Sequence, residues 1–170
     1  MRVIIARHGK AEPDSPSGRD ADRPLRHLGV RQVRWLGERL SSMEFGLAIE
    51  RLISSRAERV DRTARAIADA CGVEVEYDDR LMTEEPAGRL IDLLEDVGGS
   101  VDSGGSAGSV CLVGHNNQLS VAACVLAGRE LDPIRTGEAV VLDVDPRELM
   151  GSGVVVERLR LPRERSGAGD

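Results

Sequence analysis

Short apolar runs rich in β-branched residues alternate along the chain with longer segments whose apolar residues recur at helical spacing. The short runs predict strands and the longer segments predict helices. The predicted strands cover 2–6, 47–54, 73–77, 110–113, 139–144 and 154–161, and the predicted helices cover 30–40, 57–71, 86–97 and 118–126. This alternation is typical of an α/β domain, and we expect a three-layer α/β/α sandwich with a mostly parallel central sheet.

The chain of 170 residues has the length of one domain. We expect a single domain over 1–161, with a flexible surface loop within it at the Gly- and Ser-rich residues 98–109, and a polar C-terminal tail over 162–170. No apolar run reaches the roughly 18 to 20 residues that a membrane span needs. The sequence therefore predicts no membrane partner and a cytoplasmic location.

The composition argues against a nucleic-acid partner. The formal net charge is −6, so the chain repels polyanions unless its basic residues are concentrated in one pocket. Aromatic residues make up only 2% of the chain, which leaves no platform on which bases could stack. Lys10 is the single lysine among the basic residues, so Schiff-base chemistry would depend on that one side chain. We set both classes of function aside.

Two of the three histidines directly follow predicted strands. His8 belongs to the tripeptide Arg7-His8-Gly9 after the first strand, and His115 belongs to Gly114-His115-Asn116 after the strand at 110–113. Ligands of such folds collect beyond the carboxyl ends of the parallel strands, so we expect both imidazoles at the same edge of the sheet. The third histidine, His27, is expected to be a surface or capping residue before the first helix.

A third polar segment lies where the second predicted strand turns into a helix. A helix N-terminus favours an anion, and Arg56 adds a planar donor fork that suits phosphate oxygens. Arg59 and Arg62 lie further around the same helix, and we expect both of them on its solvent-facing side.

Four short motifs follow one another in a fixed order: Arg7-His8-Gly9; Asp22 and Arg23 with Pro24, Leu25 and Gly29; Ser55-Arg56-Ala57 with Thr63 and Ala64; and Gly114-His115-Asn116. Their order and spacing together resemble the histidine phosphatase superfamily, whose fold is shared with phosphoglycerate mutases. Within that superfamily the chain is most similar to the short SixA-type branch of phosphohistidine phosphatases.

The resemblance implies a phosphoglycerate mutase-like fold and a phosphatase that works through a phosphorylated histidine. It implies that His8 is the nucleophile and that Arg7, Arg56 and His115 hold the phosphoryl group, with Asn116 as a further phosphate-binding residue. It also implies a phosphorylated substrate, most simply a phosphohistidine-bearing signalling protein, and a reaction that needs no metal and no cofactor. Fixed cations suit this chemistry, because a phosphoryl group in transfer spreads negative charge over its oxygens.

The general acid is left open by the sequence. Glu84 and Glu85 are the candidates, because they lie between the third predicted strand and the helix that follows Pro86. The alternative is that both are surface glutamates near the start of a helix. A phosphohistidine substrate lessens the need for a strong acid, because imidazole leaves more easily than an alkoxide.

Other classes of function have weaker support. Small phosphate esters are an alternative substrate, and a non-catalytic module that binds phosphorylated partners is an alternative of another class. Residues 104–108 match the G-x-S-x-G pattern of serine hydrolases, but a nucleophile elbow follows a strand and opens a helix, whereas this match precedes a predicted strand. The three dispersed histidines have no spacing typical of metal ligands.

Overall fold

A computed structural model describes residues 1–42, 48–99 and 108–162, and within these ranges six strands form one sheet. The strands are β1 (Arg2–Arg7), β2 (Arg51–Ser54), β3 (Val75–Tyr77), β4 (Ser109–Gly114), β5 (Glu138–Asp143) and β6 (Val154–Arg160). Their order across the sheet is β3-β2-β4-β1-β5-β6. The four strands from β3 to β1 run parallel, β5 is antiparallel to β1, and β6 is antiparallel to β5.

Four α-helices of the described residues cover the two faces of this sheet. They are α1 (His27–Ser41), α2 (Glu58–Cys71), α3 (Gly88–Gly99) and α4 (Gln118–Ala127). One apolar core joins α1 and α2 to one face, and a second core joins α3 and α4 to the other face. The prediction of a three-layer sandwich with a mostly parallel sheet is therefore confirmed. In the described part of the chain, no helix is long and apolar enough to cross a membrane.

The central strands β1 and β4 are covered on both faces, which explains their continuous apolar sequences. In β1, Val3 and Ile5 face the α3 and α4 side, whereas Ile4 and Ala6 face the α1 and α2 side. The parallel register pairs Arg7 with the last residue of β4. The residues that follow the two strands therefore emerge side by side at one edge of the sheet.

The predicted element boundaries need a few corrections. The strand predicted over 47–54 begins only at Arg51, and residue 47 lies outside the described residues. The helix predicted from Pro86 begins at Gly88 and continues through residues 98 and 99, which the sequence predicts as part of the flexible loop. Ser109, also assigned to that loop, is the first residue of β4. The rest of the loop at 100–107, with most of the G-x-S-x-G match, and the tail at 163–170 lie outside the described residues.

His27 is exposed and is the first residue of α1, so its prediction as a surface residue is confirmed.

Candidate active site

His8 and His115 lie together where β1 and β4 end. Their ring centroids are 5.4 Å apart and their planes meet at 63°. Both side chains are nearly inaccessible, with 8% of His8 and 2% of His115 exposed. They line a cleft of about 320 Å³ together with Arg7, Lys10, Ala11, Asp20, Arg23, Arg59, Thr83, Asn116 and Thr136. The structure therefore places the two imidazoles together at one edge of the sheet, as predicted.

The His8 ring is fixed in one tautomer by the backbone. Its Nδ1 lies 2.8 Å from the carbonyl oxygen of Gly9. A carbonyl oxygen can only accept, so Nδ1 carries the proton and Nε2 of the neutral ring keeps its lone pair. Burial lowers the pKa of His8 to about 4, and the nearby Arg59 and Arg7 guanidinium groups add to this effect, although the bond to Gly9 opposes it. At neutral pH, His8 therefore presents an unprotonated Nε2.

The His115 ring is fixed in the opposite tautomer. Arg59 Nη2 donates to His115 Nδ1 over 3.3 Å, so Nε2 of the neutral ring carries the proton. This Nε2 lies 3.3 Å from Ser55 Oγ. Burial lowers the pKa of His115 to about 3, and Arg59 and His8 contribute to the lowering. His115 is therefore a neutral N–H donor whose ring centroid lies 5.4 Å from that of His8.

Arg59 extends from α2 into the cleft that contains His8 and His115. The prediction that it lies on the solvent-facing side of the helix is therefore wrong. Only 4% of its surface is exposed. Its Nη1 donates to the Asp20 carbonyl oxygen over 2.6 Å, and its Nη2 donates to the Asp20 carboxylate over 2.8 Å. A sequence signal existed: Thr63 and Ile67, both fully buried, follow Arg59 at intervals of four residues. Helical spacing therefore places Arg59 on the inward face.

Arg56, which is predicted to hold the phosphoryl group with Arg7 and His115, is not among the described residues that line the cleft. It precedes α2, is exposed, and stacks over the ring of Tyr77 at 4.7 Å from the centroid. The chain turns between Ser55, which contacts His115, and the first turn of α2. Because of this turn, the Arg56 side chain lies against Tyr77 and not in the cleft.

Arg7 and Asn116 also line the cleft and share one backbone partner. Arg7 Nη1 and Asn116 Nδ2 both donate to the carbonyl oxygen of Ile134, over 3.0 Å and 2.9 Å. Asn116 Oδ1 accepts from Ser120 Oγ. Arg7 Nε is buried and has no hydrogen-bond partner among the described residues, and burial lowers the pKa of Arg7. The structure thus brings four predicted site residues together: Arg7, His8, His115 and Asn116.

Neither predicted acid lines the cleft. Glu84 is exposed, and Glu85 is half-buried with its carboxylate 3.7 Å from Arg89. Thr83 is the residue of this segment that lines the cleft. The alternative interpretation, that the two glutamates are surface residues near a helix start, agrees with their positions.

Asp20 is the carboxyl group that the sequence analysis missed. It lines the cleft from a short 3₁₀ segment at Asp20–Asp22. Arg23 Nη1 donates to its Oδ1 over 2.7 Å, while Arg59 contacts its Oδ2. These bonds, that from Arg23 above all, lower the pKa of Asp20, so the group is ionised at neutral pH. The loop sequence carries no periodicity that could have identified it.

Close backbone packing fixes the loop that carries His8. A Cβ on Gly29 would lie 2.1 Å from the carbonyl oxygen of Lys10, and a Cβ on Gly9 would lie 2.8 Å from the carbonyl oxygen of Gly29. The Gly9 N–H also donates to Thr63 Oγ1 over 3.1 Å. Two glycines and one helical threonine therefore let the loop approach α1 and α2 directly.

A comparison with protein families accounts for this arrangement. The family model described as histidine phosphatase superfamily (branch 1) matches residues 3–96, which is more than half of the chain. The chain belongs to the histidine phosphatase superfamily. The family prediction made from the four motifs is thereby confirmed, and the matched range contains His8 and Arg59 but not His115.

Two solved structures of phosphatases have a fold similar to that of this chain. The protein histidine phosphatase SixA, solved with tungstate, matches with a TM-score of 0.80 at 21% identity, over 94% of this chain and 97% of that one. A mycobacterial glucosyl-3-phosphoglycerate phosphatase matches with a TM-score of 0.69 at 17% identity, over 91% of this chain and 96% of that one. The phosphoglycerate mutase-like fold that we predicted is confirmed.

A curated relative by sequence is a probable phosphoglycerate mutase, GpmB, from Salmonella choleraesuis. It is 36% identical to this chain over 83 residues, which are 48% of the length of this chain. The match spans only 37% of the length of that relative. The comparisons therefore establish the superfamily and the fold, and the activity of this member is a proposal.

Proposed function

We propose that this protein is a metal-independent phosphatase that takes the phosphoryl group of a phosphohistidine residue onto His8 Nε2 and then passes it to water. One observation carries the proposal: the hydrogen bond from His8 Nδ1 to Gly9 leaves an unprotonated Nε2 facing a cleft bordered by guanidinium groups. A neutral imidazole in such surroundings is the nucleophile that a covalent phosphoryl-transfer mechanism needs.

The first step forms one N–P bond and breaks another. The lone pair of His8 Nε2 attacks phosphorus, and the bond between phosphorus and the substrate ring breaks. The leaving nitrogen keeps the electron pair, and the substrate ring leaves as a neutral imidazole because its other nitrogen carries a proton. In the second step, the oxygen of a water molecule attacks phosphorus and the bond to His8 breaks. The products are inorganic phosphate and the neutral His8 that began the cycle.

The charges around His8 suit the transition state of both steps. Arg7 and Arg59 both border the cleft, and His115 adds an N–H donor through Nε2. A guanidinium about 4 Å from a phosphoryl oxygen is worth roughly 4 kcal/mol at an effective dielectric of about 20. These groups are already oriented before a substrate arrives, so little reorganisation accompanies the reaction. The mechanism draws its positive charge from the protein and uses no cofactor.

The choice of phosphohistidine rests on the carboxyl groups of the cleft. Among the described residues that line it, Asp20 is the carboxylate, and its bonds to Arg23 and Arg59 favour the ionised form. An ionised carboxylate is a poor proton donor to a leaving alkoxide, whereas a leaving imidazole has less need of one. The similar fold of the protein histidine phosphatase SixA supports the same substrate class, and the cytoplasmic location predicted from the sequence belongs to this proposal.

Small phosphate esters are the second candidate. The relatives include a probable phosphoglycerate mutase at 36% identity and a glucosyl-3-phosphoglycerate phosphatase of similar fold. Glu84 borders Thr83, which lines the cleft, so a rearrangement of this segment is the route by which an acid would reach an ester oxygen.

The test compares phosphate release by the wild type and by His8→Ala. A phosphohistidine-bearing protein and a phosphoserine peptide are offered side by side, with spontaneous hydrolysis subtracted and with and without a chelator. We expect turnover of phosphohistidine by the wild type alone, an acid-labile phosphoenzyme that His8→Ala does not form, and no effect of the chelator. Equal or faster cleavage of phosphoserine would favour the second candidate, a phosphatase that acts on phosphate esters. Binding of the phosphoprotein without any phosphate release would favour the non-catalytic module.

A further inference from the structure

Arg56 lies in a second cavity that adjoins the active-site cleft. This cavity, of about 370 Å³, is lined by Arg56, Tyr77, Asp78, Arg80, Glu85 and Arg89 among others, and we call it the Arg56 groove. The segment 83–85 separates the two spaces, because Thr83 lines the cleft and Glu85 lines the groove. On the other side, Ser55 contacts His115 and is followed directly by Arg56. The cleft and the groove are therefore lined by neighbouring residues of the same two chain segments.

Arg56 differs from the other two arginines of the groove in having no acidic partner. Arg80 pairs with Asp78 at 2.8 Å and with Asp96 at 2.6 Å. Arg89 pairs with Asp92 at 3.1 Å and more loosely with Glu85. In the described ranges, no carboxylate lies within ion-pair distance of the Arg56 guanidinium, whose recorded contact is the ring of Tyr77. The groove thus holds a single unpaired positive charge.

The ring that supports Arg56 is itself held in place by α2. The Tyr77 hydroxyl donates to the Asp61 carboxylate and accepts from Arg65 Nη2 at 2.9 Å. The guanidinium of Arg56 lies 4.7 Å from the centre of this ring. Stacking on a fixed aromatic ring reduces the freedom that an exposed arginine would lose on binding. Arg56 is therefore prepared to receive an anion.

We propose that Arg56 is a specificity-determining residue that binds a carboxylate side chain of the substrate protein beside its phosphohistidine. The inference rests on the proposed function. A single carboxylate matches the single unpaired charge, whereas a second phosphate would bring about two negative charges close to Asp78, Asp79 and Glu85 in the same groove. Because the chain has a net charge of −6, an acidic partner is repelled by much of the surface and gains from a local cation beside the cleft.

The test uses two synthetic phosphohistidine peptides that differ only in the residues flanking the phosphohistidine, glutamate in one and glutamine in the other. We expect the wild type to have a KM about fivefold lower for the glutamate peptide, the size of an exposed ion pair, with similar kcat for both. Arg56→Gln removes the difference, and Arg56→Glu reverses it. Arg62→Gln is the matched control, because Arg62 is also an exposed arginine of this region but pairs with Glu58 on α2.

The outcomes separate this inference from the proposed function. A wild type that hydrolyses both peptides with the same KM overturns the inference and leaves the proposed function standing. A wild type that hydrolyses neither peptide overturns both. If Arg56→Gln lowers kcat about a hundredfold on both peptides, Arg56 contacts the transferred phosphoryl group instead, and the inference is also overturned.

Discussion

Arg56 and Arg59 stand three residues apart in the sequence and lie in opposite environments. Arg59 is 4% exposed, and both of its terminal nitrogens donate to Asp20, while Nη2 also donates to His115. Arg56 is exposed and contacts the ring of Tyr77. The two side chains have the same chemistry, so their difference comes from position alone: one precedes α2 and the other lies in its first turn.

Under the proposed function, this difference separates two tasks. A buried guanidinium with several fixed partners acts on the transferred group, because low dielectric and fixed geometry strengthen its charge. An exposed guanidinium is screened by water and salt, so it contributes little to a reaction rate but can favour one partner over another. We expect substitutions at the two positions to differ in size and in the kinetic constant that they change.

The largest expected effect is that of Arg59→Ala. We predict a loss of about a thousandfold in kcat/KM on a small phosphohistidine substrate, the range measured when one preorganised donor to a transition state is removed. Arg56→Ala should lose far less on the same substrate. Steady-state kinetics of the two variants checks the prediction, and circular dichroism confirms that Arg59→Ala remains folded.

Arg62→Ala is the control for both, because its side chain is exposed and pairs with Glu58 on the outer side of α2. It should retain wild-type kinetics. Comparable losses from Arg56→Ala and Arg59→Ala would contradict the separation of tasks between the two arginines.

The second-largest expected effect is a loss of folding stability in acid. The pKa of His8 is about 4 and that of His115 is about 3 in the folded protein, whereas an unfolded histidine has a pKa near 6.5. Between pH 6.5 and pH 5 the unfolded chain therefore binds protons that the folded chain does not, and the free energy of unfolding falls as the pH falls. We predict a loss of about 2 kcal/mol at pH 5 for each of the two histidines.

Urea unfolding at pH 7, 6 and 5 measures this loss. His8→Gln should show a shallower dependence on pH than the wild type, because one of the two buried imidazoles is gone. The window lies above the ordinary pKa values of aspartate and glutamate, so the carboxylates contribute little to the slope. Identical slopes for the wild type and His8→Gln would show that His8 takes up its proton in the folded state as readily as in the unfolded one.

The sequence predicted best what depends on local pattern. β1 and β4 are continuous apolar runs, and each is followed directly by a histidine, so the fold and the meeting of His8 with His115 could be predicted. The prediction that Arg59 faces solvent was wrong, because the Ser-Arg-Ala motif drew attention to Arg56 and the helical phase of Arg59 was overlooked. Asp20 was missed since its contact with Arg59 joins residues 39 positions apart through a loop without periodicity.

The smallest expected effect tests why Arg59 has a carboxylate partner and Arg56 has none. Asp20 bonds to Arg59 over 2.8 Å and to Arg23 over 2.7 Å, so it links two guanidinium groups at the edge of the cleft. Because the Asp20 side chain is 61% exposed, the contact is worth less than a buried ion pair. We predict that Asp20→Asn lowers kcat about fivefold with little change in KM, because Arg59 is held less firmly while the phosphoryl group reacts.

Two kinds of measurement show whether Asp20 positions Arg59 or competes with the phosphoryl group for it. If Asp20 orients Arg59, then Asp20→Asn binds inorganic phosphate no more tightly than the wild type, and Asp20→Glu, which keeps the charge, recovers part of kcat. If the carboxylate instead competes with the phosphoryl group for Arg59, the Asn variant binds phosphate more tightly and its kcat is unchanged or higher. The second result would mean that Arg59, like Arg56, is an anion-binding group open to any nearby carboxylate, and the contrast between the two arginines would then rest on burial alone.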